Sequence, residues 1–227
     1  MKTRNKLCAA SAVAVALSCS PALANEFEFG IILQAAQYER KANANNDIRA
    51  VAAWLQSVST ITGSDSDETG QAFGLVSRYT IPTANGGFIG FQSTLAAENT
   101  SFQNSIRMSG ASTEGSQEFN AEFSADFLFL AGINATDSLS FYGGVGLSAA
   151  QFEASVSFGS DSISDSQIHY GPKVAAGVNY QLAEGYKLFA QLEHTQYDEE
   201  AYFGVPSAVA EFGFDQTKLG IGVLFSF

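Results

Sequence analysis

The sequence predicts an all-β fold, an eight-stranded antiparallel up-and-down transmembrane β-barrel, and three observations lead to this prediction. Short runs of alternating apolar and polar residues recur along the chain, as expected when successive side chains of a strand point to opposite faces. The connections between these runs alternate between short and long. The 227 residues include 19 Phe, 8 Tyr and 21 Gly but 4 Pro, a composition typical of β-barrels.

The first 24 residues (1–24) have the pattern of a secretory signal peptide. Three cations are followed by an apolar, Ala-rich run that is shorter than the roughly 20 residues of a spanning helix. Ala22 and Ala24 are small residues at the two positions that a signal peptidase reads. We therefore predict cleavage between Ala24 and Asn25, which leaves residues 25–227 as one outer-membrane β-barrel domain.

Both cysteines, Cys8 and Cys19, lie inside the predicted signal peptide. The mature chain would therefore lack thiols, which suits a protein that crosses an oxidising periplasm unfolded. Cys19 also leaves open a lipoprotein that is cut before this residue. The formal charge of −12 excludes nucleic-acid binding through counterion release, so we expect no nucleic-acid partner.

Eight alternating runs define the predicted strands. In each run one set of side chains is apolar and suits lipid, whereas the alternate set is small or polar and suits a lumen. The apolar sets lie within Phe27–Leu33, Phe73–Ile81, Ile89–Leu95, Phe119–Ala131, Leu139–Leu147, Ile168–Tyr180, Tyr186–Leu192 and Leu219–Phe227.

The connections between the runs predict which rim faces which compartment. Tight turns are expected at 82–87, 134–138 and 181–185, and long loops at about 39–70, 97–118, 159–166 and 198–208. Short turns on one rim and long loops on the other are typical of outer-membrane barrels, and eight strands place both termini in the periplasm. Within the first loop, Asp47–Ile61 fits either an amphipathic helix or a strand extension above the membrane.

The terminal run carries the most specific pattern. Leu219, Ile221, Val223, Phe225 and Phe227 occupy every second position and form one apolar face that ends on an aromatic residue. Together with the signal peptide and the other runs, this strand resembles the closing strand of the OmpA/OmpX-type small outer-membrane β-barrel family. The resemblance implies a barrel without a periplasmic domain in the cell outer membrane of a Gram-negative bacterium.

The same resemblance implies partners. The five alternating residues of the terminal run match the assembly signal that the barrel-assembly machinery reads in this family. We also expect contact with periplasmic chaperones during export, and with outer-membrane lipid and lipopolysaccharide afterwards. The protein is expected to be a monomer.

Eight charged residues are predicted to face the lumen. An eight-stranded barrel is just wide enough for its own side chains to fill, and a buried charge without a partner costs several kcal/mol. The charges therefore predict a salt-bridge network that plugs the lumen, and the alternative is a narrow pore of low conductance. The predicted lumen charge network consists of Glu28, Arg78, Glu122, Asp126, Lys173, Lys187, Glu193 and Lys218.

The sequence predicts no catalytic residue, no cofactor and no metal site. The acidic segment Ser64–Glu68 lacks the spacing of a calcium loop. The third alternative is a lipid A-modifying enzyme. The candidate histidines are His194 and His169, and His169 is near Ser166 in the sequence. A histidine beside a serine can activate the serine hydroxyl as a nucleophile. We instead predict a structural or surface-interaction role, adhesion or shielding, carried by the long extracellular loops.

Overall fold

The computed structural model describes residues 26–42, 68–107, 114–158, 161–202 and 210–226. The predicted signal peptide, the segment Asp47–Ile61 and Phe227 lie outside these ranges. No helix of membrane-spanning length and apolarity occurs in the described part of the chain. The described residues form β1 (Glu26–Ala42), β2 (Glu68–Pro82), β3 (Gly87–Arg107), β4 (Glu114–Asn134), β5 (Leu139–Phe158), β6 (Asp161–Ala183), β7 (Tyr186–Gln196), β8 (Glu200–Tyr202) and β9 (Ala210–Ser226).

Eight of these strands close into a barrel, as predicted. Each strand from β1 to β7 pairs antiparallel with the next, β7 pairs with β9, and β9 returns to β1. The closing register runs from Glu28 opposite Ser226 to Ala42 opposite Phe212. β8 is a three-residue strand that pairs with β9 beyond the closed part. Closure pairs the backbone groups that a membrane interior would otherwise leave without hydrogen bonds.

An apolar band surrounds the outside of the barrel. On β1 it runs from Phe27 to Ala35, and the next outward residue, Gln37, is polar. This span matches the roughly 9–11 residues that a tilted transmembrane strand needs. Leu33 is 65% exposed and Leu219 is 56% exposed. In water, such an exposed apolar surface would promote aggregation, whereas in a membrane it is the surface that contacts lipid.

The rim that is predicted to face the periplasm is made of tight turns. The first two predicted turns agree with the strand ends, because β2 ends at Pro82 and β3 begins at Gly87, and β4 ends at Asn134 and β5 begins at Leu139. The third turn is shorter than predicted, because β6 continues to Ala183 and β7 begins at Tyr186. In the first turn the Gly86 amide donates to the Thr83 carbonyl over 3.2 Å, and Gly86 has a φ of 75°. That left-handed conformation favours glycine, which explains the Asn-Gly pair in the sequence.

Strands β3 to β6 continue far beyond the apolar band, which corrects two of the loop predictions. Most of 97–118 is strand, because β3 reaches Arg107 and β4 begins at Glu114. Most of 159–166 also belongs to β6. Above the membrane both faces of a strand can be polar, so the apolar alternation fades while the backbone pairing continues.

A β-bulge in β4 reverses the side-chain alternation at the edge of the apolar band. Ala121 pairs with Phe152 and Phe123 pairs with Gln151, so Glu122 is an extra residue. On the membrane side of the bulge, Phe123 faces lipid, whereas beyond it Phe119 and Ala121 are buried in the lumen. The expectation that Phe119–Ala131 forms one lipid-facing set is therefore wrong at its first two members, because one extra residue exchanges the faces beyond it.

Candidate functional site

Two layers of side chains fill the lumen. The lumen network is a set of buried ion pairs and hydrogen bonds at the level of the apolar band. The aromatic cluster lies on its extracellular side and consists of Tyr38, Phe119, Phe152, Tyr197, Tyr202 and Phe214. A water-accessible cavity, the periplasmic vestibule, lies at the opposite end of the barrel.

Lys173 on β6 is the centre of one part of the lumen network. Its Nζ lies 2.6 Å from Asp126 Oδ2 on β4 and 2.6 Å from Glu193 Oε2 on β7. Ser148 donates to the other Asp126 oxygen over 2.6 Å, and Gln191 donates to the other Glu193 oxygen over 2.6 Å. All three charged groups are buried, and the arrangement spans the lumen because it joins β4 to the neighbouring strands β6 and β7.

Lys218 on β9 is the centre of a second part. Its Nζ lies 2.6 Å from Glu98 Oε1 on β3 and donates to Ser124 Oγ over 3.1 Å. Glu98 also accepts hydrogen bonds from the Tyr38 hydroxyl and the Gln216 amide. The prediction of a loop at 97–118 is wrong for Glu98. The inward positions 92, 94, 96 and 98 are polar or small, which is the signal that β3 continues with Glu98 facing the lumen.

Arg78 on β2 is held by neutral groups. It donates to Gln92 Oε1 over 2.6 and 3.1 Å, to Asn179 Oδ1 over 2.7 Å and to the Tyr142 hydroxyl over 3.1 Å. Its guanidinium carbon lies 4.7 Å from the centre of the Tyr142 ring and 5.2 Å from that of Phe189. Both ring contacts are favourable to a cation.

Lys187 on β7 forms the periplasmic end of the network. It is half-buried, and its Nζ lies 2.5 Å from Glu26 Oε2 and 2.8 Å from Glu28 Oε1. Glu26 lies outside the predicted network because it immediately precedes the first alternating run.

The structure places seven of the eight predicted network residues in the lumen, and Glu122 is the exception. Its carboxylate is exposed on the outside of the barrel, where Gln151 donates to it over 2.7 Å. The bulge described above turns this side chain outward. Of the predicted assembly signal, Leu219, Ile221 and Phe225 are lipid-facing positions of β9.

The aromatic cluster packs the extracellular end of the lumen. Phe152 stacks on Phe214 with ring centres 4.5 Å apart and an angle of 9°, and Phe119 meets Tyr202 edge to face at 5.8 Å. The four side chains are fully buried. Edge-to-face and stacked pairs of this kind stabilise a core beyond the burial of area alone.

His169 connects this cluster to the segment that contains β8. Its Nδ1 lies 2.9 Å from the Asp198 carbonyl oxygen and its Nε2 lies 2.7 Å from the Tyr202 hydroxyl. A carbonyl only accepts, so we assign the ring proton to Nδ1, and the Tyr202 hydroxyl then donates to Nε2. Burial raises the pKa of the Tyr202 hydroxyl, which keeps it protonated as the donor.

His169 and Ser166 do not form a pair of general base and nucleophile. Ser166 is exposed on the face of β6 opposite to buried His169. His194 lies on the outside of β7, where its Nδ1 is 3.1 Å from Thr217 Oγ1. Within the ranges that the structure describes, no group of three or more His, Cys, Asp or Glu side chains is placed to hold a metal ion.

The periplasmic vestibule has a volume of about 700 Å³. Its rim is formed by the turns 134–138 and 86–87, and its inner wall includes Arg78, Asn179 and Lys187. Glu26, Glu28 and Asp137 also line it, so charged groups of both signs surround this cavity.

A closed barrel with an apolar outside and a polar lumen is the architecture of an outer-membrane protein. Residues 10–227 match the family model described as outer membrane protein beta-barrel domain. The chain belongs to this family. As a member of the outer membrane protein beta-barrel family, it is located in the cell outer membrane, with the tight turns on the periplasmic side.

Solved structures with a similar fold are also outer-membrane barrels. The attachment invasion locus protein Ail of Yersinia pestis is 16% identical, with 88% of this chain and 99% of Ail covered and a TM-score of 0.43. OprG of Pseudomonas aeruginosa is 15% identical, with 88% and 95% covered and a TM-score of 0.40. The Escherichia coli outer membrane protease OmpT is 7% identical, with 93% and 99% covered and a TM-score of 0.47. No curated protein sequence matches the chain.

Proposed function

We propose that this barrel is a non-enzymatic scaffold that holds a four-stranded β-sheet above the outer membrane for surface interaction, in adhesion or shielding. The observation that carries the proposal is the continuation of β3, β4, β5 and β6 beyond the apolar band. These parts of the strands are here called the extracellular sheet, which comprises residues 100–107, 114–121, 152–158 and 161–167. A membrane anchor alone would need strands of roughly 9–11 residues, whereas β4 has 21 and β6 has 23.

Among the described residues, the β-ladders that flank the extracellular sheet end on two sides. The pairing of β3 with β2 ends at Asn99, opposite Gln71, and residues 100–107 pair with β4. The pairing of β6 with β7 ends at Lys173, opposite Thr195. In the part of the chain that the structure describes, β3 and β6 are therefore edge strands beyond these points, and edge strands offer backbone donors and acceptors to a partner's extended segment.

The outward face of the extracellular sheet is polar. A lipid-facing surface would be apolar, so these side chains favour contact with water and with a water-soluble partner. Serines dominate, and the carboxylates of Glu118 and Glu153 add negative charge. The outward-facing side chains include Ser101, Ser116, Glu118, Asn120, Glu153, Ser155, Ser157, Ser164 and Ser166.

The filled lumen supports an interaction role over a pore. An ion would have to cross both the lumen network and the aromatic cluster. Lys173, Lys218 and Phe214 are each at most 1% exposed. Moving a buried charge away from its partners costs several kcal/mol, so thermal opening of the lumen is rare.

The test of the interaction role is a variant with a shortened extracellular sheet. Residues 101–119 and 154–165 are each replaced by a two-residue Asn-Gly turn, so the barrel strands within the apolar band stay intact. Cells that carry this variant are expected to lose adhesion to an immobilised matrix, while the purified variant still migrates faster on a gel before heating than after it. Undiminished adhesion with a folded barrel would contradict the proposal.

Two further measurements separate the alternatives. Purified protein in a planar bilayer is expected to give no conductance steps, and regular steps would support the narrow pore. Lipid A from cells that overproduce the protein is expected to keep its mass, and a changed mass would support an enzyme.

A further inference from the structure

Arg78 is the one lumen cation, among the residues described, that forms no ion pair with a carboxylate. Lys173, Lys187 and Lys218 each lie within 2.8 Å of at least one carboxylate oxygen. The Arg78 side chain is 1% exposed, and the acceptors of its four hydrogen bonds are the neutral side chains of Gln92, Asn179 and Tyr142. A guanidinium has five N–H groups, so one on Nη1 has no partner in the described part of the chain.

The nearest carboxylate in the strand register is bound elsewhere. Glu28 lies directly opposite Arg78 in the β1–β2 pairing, and both side chains are buried in the lumen. Glu28 nevertheless forms its ion pair with Lys187, at 2.8 Å. A buried guanidinium without an anion is costly, so an anion that reached Arg78 would be stabilised.

The periplasmic vestibule provides access for such an anion. Arg78 and Asn179 belong to its wall, and its volume of about 700 Å³ exceeds that of a small oxyanion several times over. It opens between the periplasmic turns, so the ions that enter it are those dissolved in the periplasm. Ser140 and Gln181 line the same wall and supply neutral hydrogen-bonding groups.

We propose that the periplasmic vestibule binds a small oxyanion, a phosphate or a carboxylate, through the Arg78 guanidinium. The N–H on Nη1 that is left over can donate a charge-assisted hydrogen bond to one oxygen of the ligand, and the contacts with Tyr142 and Phe189 fix the orientation of the guanidinium. Lys187 contributes indirectly, because it holds Glu28 away from Arg78. The site lies at the opposite end of the barrel from the extracellular sheet and does not depend on the proposed surface role.

The test uses the full mature chain, folded in detergent micelles, with inorganic phosphate and acetate as separate probes at constant ionic strength. Phosphate is expected to raise the unfolding temperature and to give a saturable chemical-shift change in ³¹P NMR. Arg78→Gln is expected to abolish both effects. Since this substitution also removes core contacts, two variants that leave Arg78 in place complete the test.

Lys187→Gln frees Glu28 to pair with Arg78, and the internal carboxylate then competes with the ligand. Phosphate affinity is expected to fall about tenfold, the factor that corresponds to 1.4 kcal/mol. Glu28→Gln removes the nearby negative charge and is expected to strengthen binding. The matched control is Glu184→Gln, an exposed carboxylate in a turn at the same rim, which leaves the affinity unchanged.

Two results would overturn the proposal. One is wild-type protein with no saturable response to phosphate or acetate. The other is a response that persists at equal strength in folded Arg78→Gln and in Lys187→Gln, which would place the anion elsewhere. A response to phosphate but not to acetate supports the site and restricts the ligand to phosphates.

Discussion

Lys218 and Glu98 lie 120 positions apart in the chain and meet in the lumen, with 2.6 Å between Nζ and Oε1. Neither side chain has access to water. We expect Lys218→Met to lower the free energy of unfolding by about 3–5 kcal/mol, because the Glu98 carboxylate stays buried without its cation. Urea-induced unfolding in lipid vesicles measures the loss.

A second variant separates charge from packing. Lys218→Met combined with Glu98→Gln removes both charges and keeps the amide hydrogen-bonding capacity next to Tyr38. The double variant is expected to be more stable than Lys218→Met alone. Equal stability of the two variants would mean that the ion pair is not the cause of the loss.

Lys173 is shared by two buried carboxylates, so its loss has a different consequence. In Lys173→Met the carboxylates of Asp126 and Glu193 face each other without a cation, and like charges in a buried site repel. The variant is expected to lose more stability at pH 8 than at pH 5, because protonation of one carboxyl relieves the repulsion. Unfolding curves at the two pH values measure the difference.

The control for this prediction is Lys187→Met. Lys187 also contacts two carboxylates, but it is half-buried and water reaches the Glu26 carboxylate. A smaller loss with little pH dependence is expected there. A loss in Lys173→Met that is independent of pH would contradict the explanation by repulsion.

Gly30 allows β1 and β9 to approach each other. A Cβ atom at this position would lie 2.0 Å from the Val223 carbonyl oxygen, a backbone atom that cannot rotate away. Gly30→Ala is therefore expected to weaken closure of the barrel and to reduce the fraction that migrates as the folded form on an unheated gel. Gly143→Ala is the matched control, because its nearest atom would be 3.9 Å away. Equal folding of the two variants would argue against this steric requirement.

Tyr202 holds the β7–β9 connection to the barrel through His169. Tyr202→Phe keeps the edge-to-face contact with Phe119 but removes the donor to His169 Nε2, which leaves a buried acceptor without a partner. Proteolytic cleavage between residues 198 and 210 is expected to become severalfold faster, while the barrel stays intact. Tyr170→Phe, on the exposed side of the same strand as His169, is the control and is expected to have no effect.

Phe227 is predicted to act during assembly. Deletion of this residue removes the terminal aromatic of the pattern formed by Leu219, Ile221, Val223 and Phe225, so we expect lower outer-membrane levels and periplasmic degradation. The measurement is the amount of protein in the outer-membrane fraction, with Phe212→Leu in the same strand as the control. Normal levels after the deletion would assign the assembly signal to other residues.

The strands within the membrane could be predicted from the sequence because lipid and lumen impose opposite polarity on alternate residues. Phe29, Ile31 and Leu33 show this directly, with Glu28 and Gln34 on the other face. Above the membrane that contrast disappears, so the alternation predicts loops where the extracellular parts of β3 and β6 are strands. The bulge at Glu122 could not be predicted from the sequence either. One inserted residue turns Phe119 from the lipid face to the lumen without changing the composition of the strand.

The sequence by itself determined that this chain is an eight-stranded outer-membrane barrel with charges in its lumen, since that information is local and repeats in every strand. The tertiary structure decided which charges meet. Barrel closure brings Lys218 to Glu98 and Lys173 to Asp126 across the lumen, and it leaves Arg78 among neutral groups beside the periplasmic vestibule. These pairings depend on the register and stagger of all eight strands together, which no single stretch of sequence contains.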